Sequence, residues 1–404
     1  NKKILTEKNN CLPIVKYVSA KNINKKRNIK IKKSQWISDY LKITKLKDVD
    51  LIVELIGGSE GPAKKLVFAA LKNKKHVVTA NKALIAKYGD QLAKIAEKNK
   101  VNLEFEASVC GGVPIIRSLK EGLIANKISK IYGIFNGTSN YILTSMDKQN
   151  KSFDEVLNNA KKLGYAETNP SADLNGDDVS SKLKILSSLC FNSFLNKKVY
   201  VEGIKNIDKS DIDNANRFGY KIKLLGYAEL LNNKIYQRVH PTLVKKDTYV
   251  ASIDGVLNAV IIDGKPIGQS IIQGEGAGPA ATTSALVSDI SSILRGNIKF
   301  PFSLSNKERK KLKFEGIDQR LFSAYLRFEV VDKSGVLSNI TNIFSKNKVS
   351  IKRLIQNPDK NKKSSTIIII THKSKDRYLK KTLKEISRKN YIKRDPKLIR
   401  IDDN

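Results

Sequence analysis

The sequence is poor in the residues that build metal and disulfide sites. It has three cysteines, at Cys11, Cys110 and Cys190, and three histidines among 404 residues. The cysteines lie far apart without metal-type spacing, so they predict reduced, mostly buried thiols of a cytoplasmic protein and argue against zinc. No apolar run reaches the ~18 residues that cross a bilayer. No charged-then-apolar leader opens the chain, so neither secretion nor membrane binding is expected.

Acidic residues are scarce relative to basic ones. There are 39 Asp and Glu against 75 Lys and Arg, for a formal net charge of +36. Such an excess can indicate nucleic-acid binding. Here it is nearly all lysine, is spread over every segment, and accompanies no RNP-type aromatic pattern, Cys/His finger or basic heptad region. A compositional drift toward lysine explains it better, so no nucleic-acid partner is expected.

The glycine motif of a dinucleotide-binding fold is also missing. No G-x-G-x-x-G follows a first strand, and GEGAG at 274–278 opens no βαβ unit. The single methionine is Met146 and residue 1 is Asn. We therefore expect coding sequence ahead of residue 1.

Alternating strands and helices are present in the first third of the chain. Strands are expected at 14–20, 50–57, 76–81 and 102–108, with helices between the later ones, as in an α/β fold with a doubly wound parallel sheet. Ligands bind such sheets at the carboxyl ends of the strands. That rule places one group of residues at a single crevice edge: Ile56, Gly57, Gly58, Ala80, Asn81 and Lys82.

The pattern changes near residue 130. Helices are expected at 139–147, 153–163, 177–191 and 279–295, and strands at 198–204, 235–239 and 258–262 form an expected antiparallel layer. A basic stretch follows, and the end of the chain has the order of a ferredoxin-like βαββαβ unit. We expect four segments: a dinucleotide-binding domain at 1–129 onto which helix 279–295 packs back, an α+β catalytic and dimerisation domain at 130–297, a linker at 298–320, and a C-terminal domain at 321–404.

The helix expected from residue 177 carries an unusual pair. At about 100° per residue, its apolar side contains Val179, Leu183, Ile185, Leu186 and Leu189. Its other side, expected to face solvent, contains Ser180, Ser181, Lys184, Ser187 and Ser188. Asp178 and Lys182 fall with the apolar group, where they are costly unless they meet each other or a ligand. The alternative is an ordinary i,i+4 surface pair.

The segment around this helix resembles the catalytic signature of homoserine dehydrogenases, GY-(T/A)-E-x-(D/N)-P-x-x-D-x-x-G-x-D followed by a lysine four residues later. The similarity extends over nearly the whole chain. Blocks in matching order are VDLIVELIGG (49–58), HVVTANKAL (76–84), FEASVCGGVPIIRSL (105–119), GIFNGTSNYIL (133–143), YVEGI (200–204), GYKIKLL (219–225), RVHPTLV (238–244) and GEGAG (274–278). The turn Asp332–Leu337 resembles that of an ACT domain, a small-molecule sensing module.

The resemblance implies a Rossmann-like domain, an α+β catalytic domain and an ACT domain. It implies NAD(P)H-dependent interconversion of L-aspartate 4-semialdehyde and L-homoserine in threonine, methionine and isoleucine biosynthesis. The family's first strand and glycine turn would lie ahead of residue 1, and residues 1–10 would end the first helix. A catalytically impaired, amino-acid-sensing homologue that lacks the glycine loop is the alternative function.

Residue roles follow from the same resemblance. Lys182 is the expected proton donor, with a pKa lowered by apolar surroundings, and Lys82 is a second lysine at the reacting end of the cofactor. Lys82 could equally be a solvated lysine that opens a helix. The expected substrate-binding residues are Glu167, Asp178, Asp173, Gly164 and Tyr165. The expected cofactor-binding residues are Ile56, Gly57, Ala80, Asn81, Lys82, Gly164, Gly276, Gly278 and Lys21.

Two finer expectations concern a cation and the cofactor. Glu106 with the carbonyls of Val109, Gly111 and Val113 matches the family's monovalent cation site, which suits sodium. The alternative is a glycine-rich turn in which Glu106 is hydrogen-bonded to backbone. The second strand ends in Ala20 and Lys21 rather than an acid, which favours NADP over NAD.

The C-terminal domain is expected to be a separable regulatory module that binds an amino-acid effector, threonine being the first candidate. Such modules pair across subunits, so a homodimer or homotetramer is expected. The alternative role for the module is dimerisation alone.

Overall fold

A computed structural model describes residues 2–195, 198–359 and 363–402. The chain divides into two compact units, one of residues 1–131, 181–197 and 258–313, the other of residues 132–180, 198–257 and 314–404. Residues 1–10 were expected to form the end of a helix, and Asn1 of that segment lies outside the described residues. Within the described part of the chain, no helix combines the length and apolar character that a bilayer span requires.

The elements are numbered in chain order. The first half contains α1 (Lys2–Asn9), β1 (Leu51–Glu54), α2 (Pro62–Lys72), β2 (His76–Thr79), α3 (Lys82–Asn99), β3 (Leu103–Glu104), α4 (Ile115–Arg117), β4 (Lys127–Ile134), α5 (Gly137–Gln149), α6 (Phe153–Lys162), α7 (Ser171–Asn175) and α8 (Asp177–Cys190). The second half contains β5 (Tyr200–Val201), α9 (Lys209–Arg217), β6 (Tyr220–Leu231), β7 (Lys234–Lys245), α10 (Tyr249–Ser252), β8 (Leu257–Lys265), β9 (Gly268–Glu275), α11 (Pro279–Leu294), β10 (Lys313–Glu315), β11 (Leu321–Val331), α12 (Val336–Lys346), β12 (Ile351–Asp359), β13 (Ser364–Thr371), β14 (Ser374–Lys375), α13 (Asp376–Ser387) and β15 (Ile392–Ile401).

The first unit contains the parallel sheet that the alternation predicts. Its order is β1-β2-β3, with Leu51 opposite His76 and Val77 opposite Leu103. Helix α2 begins with a proline at its first turn, a position that needs no backbone donor. Helix α3 is capped by Asn81, whose side chain accepts a hydrogen bond from the Leu84 amide at 3.0 Å. These signals explain why the helices begin just beyond the carboxyl ends of β1 and β2.

The strand expected at 14–20 is wrong. Ile14 and Val15 are 83% and 69% exposed. The described pairing of this segment is a single bridge between Val18 and Trp36. A β-branched run without a neighbouring ladder has no surface against which to pack, so its propensity does not make it a strand. The strand expected at 102–108 is also shorter than predicted, because a 3₁₀ turn at Glu106–Ser108 follows β3.

The second unit is built on a mixed sheet in which β12, β13, β11, β15, β7 and β6 lie in that order. Strands β6 and β7 form a long antiparallel hairpin, whose turn residues Asn232 and Asn233 both have positive φ, as a tight hairpin turn requires. The expected antiparallel layer is wrong in part, because β5 pairs in parallel with β7, Tyr200 lying opposite Arg238. Strand β6 itself was missed by the sequence reasoning.

The ferredoxin-like order at the end of the chain is confirmed as β11-α12-β12-β13-α13-β15. The separability of this module stays a prediction, and two contacts bear on it. Strand β15 pairs in parallel with β7, Arg400 lying opposite Thr242. The buried Arg327 of β11 donates to the fully buried Asp211 of α9 at 2.7 Å. The module therefore shares a sheet and a buried ion pair with the rest of its unit.

The stretch 298–320 is not a simple linker either. Phe302 is fully buried and Arg309 is buried with it. The Arg309 guanidinium lies 4.2 Å from the centre of the Phe302 ring and donates to Asp90 at 2.7 Å and to the Ser193 carbonyl at 2.8 Å. Charge pairing and ring stacking anchor residues 298–313 of this basic segment within the first unit, which its low hydrophobicity did not indicate.

Candidate active site

Helix α8 buries the acid and the lysine that the sequence singled out. Asp178 and Lys182 are 6% and 7% exposed. The alternative of an exposed surface pair is therefore excluded. The predicted apolar side is confirmed, since Val179, Leu183, Ile185, Leu186 and Leu189 are all buried. The predicted solvent side is wrong for Ser180, Ser187 and Ser188, which are also buried; the Ser188 hydroxyl donates to the Ser193 carbonyl at 2.7 Å.

Asn136 brings two of the predicted acids together. Its side-chain amide nitrogen donates to Asp173 at 2.7 Å and to Asp178 at 2.9 Å, while its side-chain oxygen accepts from the Ser139 amide and caps α5. Two carboxylates that share one donor lie close enough to attract a cationic ligand. Asn136 belongs to the block GIFNGTSNYIL, yet sequence reasoning gave it no role. The available signal was an Asn-Gly at a strand end, directly before a helix.

Close backbone packing holds α7, which carries Asp173. A Cβ on Gly203 would lie 2.1 Å from the Leu174 carbonyl oxygen, so a side chain there is excluded. The Ile204 amide donates to that same carbonyl at 2.8 Å. Gly176, with φ of 87°, ends α7 and leads directly into α8. The YVEGI block (200–204) thus helps to position Asp173, which lies on α7 outside the block.

The Gly164–Tyr165 turn ends α6. Gly164 has φ of 76°, and the Tyr165 amide donates to the Ala160 carbonyl at 2.9 Å, as in a helix that closes on a left-handed glycine. The Tyr165 carbonyl accepts from the Thr138 hydroxyl at 2.7 Å. Glu167 follows this turn and is exposed. Its carboxylate is therefore accessible to a soluble ligand.

The carboxyl edge of the parallel sheet is organised by Glu54, which sequence reasoning missed. Its carboxylate is fully buried; one oxygen accepts from the amides of Ile56 and Gly57 at 2.7 and 3.0 Å, and the other accepts from the Thr79 hydroxyl at 2.6 Å. The ends of β1 and β2 are thereby joined. A buried Glu ending an apolar strand (LIVE) was the available signal.

The loop that Glu54 holds is open at its surface. Gly57 and Gly58 have φ of 83° and 78°, and a Cβ on either would meet no atom within 4 Å. The Asn81 side-chain amide donates to the Gly58 carbonyl at 2.7 Å. The structure therefore brings Ile56, Gly57 and Asn81 together at one edge, beside the start of α3. A helix start and exposed backbone suit a phosphate-bearing ligand.

The other expected cofactor residues lie in different surroundings. Lys82 is the half-buried first residue of α3, and Ala80 precedes its cap. Lys21 is exposed. Gly276 is buried against the Asn258 side chain, while Gly278, with φ of 119°, is exposed and leads into α11. The structure does not place Lys21 in contact with the edge residues.

The turn after β3 holds Glu106 by its backbone. The Glu106 carboxylate accepts from the amides of Ile116 and Arg117 at 2.9 and 2.7 Å, which is the alternative that the sequence left open. Burial raises the pKa of Glu106. Burial, and then the neighbouring charge of Glu104, raise the pKa of Asp289 to about 8. These carboxylates are poorly solvated, so a bound cation would stabilise their charged forms.

The rest of the expected cation site is compact. Cys110 and Gly111 both have positive φ, and the Gly112 amide donates to the Glu275 carbonyl at 2.8 Å. The carbonyls of Val109, Gly111 and Val113 belong to this turn. Among the described residues, no group of three His, Cys, Asp or Glu side chains has the arrangement of a metal site. Any cation here would therefore depend on backbone oxygens.

Comparisons with known proteins agree with this architecture. The family profile described as "Homoserine dehydrogenase, NAD binding domain" matches residues 3–106, "Homoserine dehydrogenase" matches 114–291, and "ACT domain" matches 324–389. The homoserine dehydrogenase of Neisseria gonorrhoeae is 38% identical over 374 residues, covering 91% of this chain and 86% of its own.

Solved structures show the same relationship. A homoserine dehydrogenase from Thiobacillus denitrificans aligns with a TM-score of 0.91 and 34% identity over 100% of this chain and 93% of its own. A hyperthermophilic archaeal homoserine dehydrogenase in complex with NADPH aligns with a TM-score of 0.57 and 27% identity, over 65% of this chain and 77% of its own.

The Rossmann-like sheet, the mixed catalytic sheet and the ACT domain define a nicotinamide-dependent oxidoreductase that acts on a CH–OH group. The chain belongs to the homoserine dehydrogenase family. The matching relatives are named as enzymes, so the comparisons favour this activity over the non-catalytic sensor.

Proposed function

We propose that Lys182 is the proton donor and acceptor at the substrate oxygen in the interconversion of L-aspartate 4-semialdehyde and L-homoserine. The observation that carries the proposal is the burial of Lys182 on α8. The first turn of the same helix carries Asp178, which accepts a hydrogen bond from the Asn136 side chain. The nicotinamide supplies and receives the hydride. Carbonyl reduction builds negative charge on oxygen, and an ammonium group directed there both stabilises that charge and delivers the proton. Homoserine-dependent reduction of NADP by the purified chain is the direct test.

We propose that Glu167 and Asp178 bind the α-ammonium of the substrate. Asn136 holds Asp178 and Asp173 side by side, and Glu167 is exposed to solvent. The turn Gly164–Tyr165 lets backbone approach the ligand closely. Asp173 keeps the acids in place through the shared donor.

Glu167→Ala and Asp178→Ala are expected to raise the Michaelis constant for homoserine, because each removes an acceptor for a charged donor. The loss corresponds to about 1.5–3 kcal/mol per hydrogen bond. The measurement is steady-state kinetics at saturating cofactor, with Asp177→Ala, one residue from Asp178, as a matched control. Unchanged Michaelis constants for homoserine in both variants would contradict the proposal that Glu167 and Asp178 bind the substrate ammonium.

The edge of Ile56, Gly57, Ala80, Asn81 and Lys82 is the proposed cofactor site. Open glycine backbone and the start of α3 lie at the carboxyl edge of the parallel sheet, where such sheets bind dinucleotides. Lys82 would lie at the reacting end, and Gly164, Gly276 and Gly278 would complete the site. We favour NADP over NAD because an archaeal relative was solved with NADPH and because Lys21, a basic residue rather than an acid, follows the segment 14–20. Initial rates with both cofactors test this preference.

Glu54→Ala is expected to raise the Michaelis constant for the cofactor roughly tenfold to a hundredfold, since Ile56, Gly57 and Thr79 lose their shared acceptor. Glu54→Gln keeps an acceptor oxygen and is expected to restore most of the affinity. The Michaelis constant for homoserine should stay constant. Glu60→Ala, at an exposed glutamate on the same segment, is the control. A folded Glu54→Ala chain with unchanged cofactor kinetics would contradict the positioning role.

A weak sodium site is proposed at the turn after β3. Glu106 and the carbonyls of Val109, Gly111 and Val113 would supply hard oxygen ligands. Burial raises the pKa values of Glu106 and Asp289, and Arg117 and Lys120 already pair with Asp289 and Glu104, so any added cation would bind weakly. The same assay with sodium replaced by tetramethylammonium tests whether turnover depends on the ion.

The ACT domain is proposed to bind an amino-acid effector, with threonine as the first candidate, and the chain is proposed to work as a homodimer or homotetramer in the biosynthesis of threonine, methionine and isoleucine. Support comes from the βαββαβ order and from the match to the ACT family.

A further inference from the structure

Helices α3 and α8 each carry a lysine to which the proposed function gives a role. Lys82 is the first residue of α3, and Lys182 lies in the first half of α8. The first unit contains all of α3 and the part of α8 from residue 181 onward. The reaction therefore depends on how these helices are held against each other, because a displacement of about 1 Å can lower a rate about a hundredfold.

One buried side chain is bonded to both helices. Arg309 is 4% exposed, and one nitrogen of its guanidinium donates to the Asp90 carboxylate of α3 at 2.7 Å and to the Ser188 hydroxyl of α8 at 2.9 Å. We call these two bonds the Arg309 bridge. Asp90 follows Lys82 by eight residues and Ser188 follows Lys182 by six, which is about 12 Å and about 9 Å along the helix axes. Packed helices transmit small shifts over such lengths.

The chain that leaves α8 is attached at the same point. The Ser193 carbonyl accepts from two Arg309 nitrogens at 3.1 and 2.8 Å. The Leu195 amide donates to the Asp90 carboxylate at 3.1 Å. Asp90 of α3 therefore receives both the guanidinium and the backbone that follows α8, so the two helices are joined at more than one atom.

Aromatic rings fix the plane of the guanidinium. Its carbon lies 4.2 Å from the centre of the Phe302 ring and 4.9 Å from that of Phe194. Phe302 also packs on α3 so closely that a Cβ on Gly89 would lie 2.9 Å from its ring. A planar fork that stacks on rings and directs several donors is a geometry that the single ammonium of lysine does not reproduce.

We propose that Arg309 is a positioning residue for the reaction, which fixes α8 against α3 and thereby the Lys182 ammonium relative to the cofactor edge at the start of α3. The inference rests on the proposed function, since Arg309 acts through Lys182 and the cofactor edge. Desolvation offsets much of the attraction within a buried ion pair, whereas directed bonds to several partners specify one arrangement. Loss of the bridge should therefore slow the transfer steps more than it weakens binding.

The test compares Arg309→Lys, which keeps the charge but removes the planar fork, with Arg295→Lys, the same change at an exposed arginine of the first unit. Arg309→Lys is expected to lower turnover roughly tenfold to a hundredfold, with the Michaelis constants for homoserine and cofactor within about twofold of wild type. The deuterium isotope effect, measured with homoserine deuterated at its hydroxyl-bearing carbon, should be at least as large as in wild type. Arg295→Lys should change none of these values.

Amide hydrogen exchange without cofactor gives a readout that does not depend on turnover. Exchange over residues 182–195 should become faster in Arg309→Lys, while exchange in α2 stays constant. Ser188→Ala removes only the α8 end of the bridge and should give the same changes to a smaller degree. This variant keeps the test decisive if Arg309→Lys fails to fold.

Three results would overturn the inference. One is wild-type turnover in every bridge variant that folds. Another is a Michaelis constant for the cofactor that rises in step with the loss of turnover, which would indicate a disordered site instead of a displaced one. A third is an isotope effect smaller than in wild type, which would place the lost rate in a step other than hydride transfer.

Lys182→Ala distinguishes a failure of this inference from a failure of the proposed function. If Lys182→Ala loses turnover while Arg309→Lys keeps it, the positioning role alone is refuted. If Lys182→Ala keeps its turnover, the proton-transfer role fails, and the inference fails with it.

Discussion

Lys182→Ala is expected to lower turnover by about 10²–10⁴ while affinity for the cofactor stays nearly unchanged, because the variant loses the group that exchanges a proton with the substrate oxygen. Lys182 is buried on α8 and follows Asp178 by one helical turn. The measurements are turnover for homoserine oxidation and cofactor binding by fluorescence.

Lys184→Ala is the matched control for this variant. Lys184 lies on the same helix but is less buried than Lys182. It should retain most of the turnover. If a folded Lys182→Ala chain kept more than a tenth of the wild-type turnover, the proton-transfer role would be refuted.

Truncation after residue 318 is expected to unfold the second unit instead of releasing a free catalytic fragment. The cut removes β15, which pairs with β7, and removes Arg327 and Arg400 from the buried Asp211 and from Glu202. Breaking one buried ion pair costs roughly 3–5 kcal/mol. Leaving Asp211 buried without Arg327 is one such loss, and it is a large share of a whole domain's stability of about 5–15 kcal/mol. The Glu202 side chain is 36% exposed, so the loss of Arg400 adds little there. Gel filtration and circular dichroism melting would show aggregation or loss of a cooperative transition.

A point variant separates the ion pair from the loss of the strand. Asp211→Ala in the full chain is expected to lower the free energy of unfolding by about 1.5–3 kcal/mol, because Arg327 loses its fully buried partner but stays paired with Asp208 and Glu329. Asp213→Ala, at an exposed acid on the same helix, should change the free energy of unfolding little.

The truncation after residue 318 has one contrary outcome. A soluble truncated chain with wild-type turnover would show that the C-terminal module is separable.

The local pattern of apolar and polar residues predicted much of the fold. The alternation of apolar strands with helices predicted the parallel sheet of β1, β2 and β3, and the βαββαβ order predicted the final module. Both depend on hydrophobic periods of 2 and 3.6 residues, which are visible within a short window. Propensity alone misled at 14–20, where β-branched residues lack a partner strand.

Part of the candidate site was predictable for the same reason. Helical spacing alone placed Asp178 and Lys182 on the buried side of α8. The same spacing predicted that Ser180, Ser187 and Ser188 face solvent, but all three are buried. Buried hydroxyls form hydrogen bonds within the protein, as Ser188 does with the Ser193 carbonyl, and helical periodicity does not identify such partners.

The family, the strand–helix alternation of the parallel sheet, the final βαββαβ order and the inward direction of Asp178 and Lys182 could all be predicted, because they follow from neighbouring residues and from motif spacing. Three contacts could not be predicted: Asn136 joins Asp173 to Asp178, Glu54 joins β1 to β2, and β15 pairs with β7. Each of these contacts joins residues far apart in the chain. A buried polar group takes whichever partner the fold brings within about 3 Å, and that choice depends on packing across the whole unit.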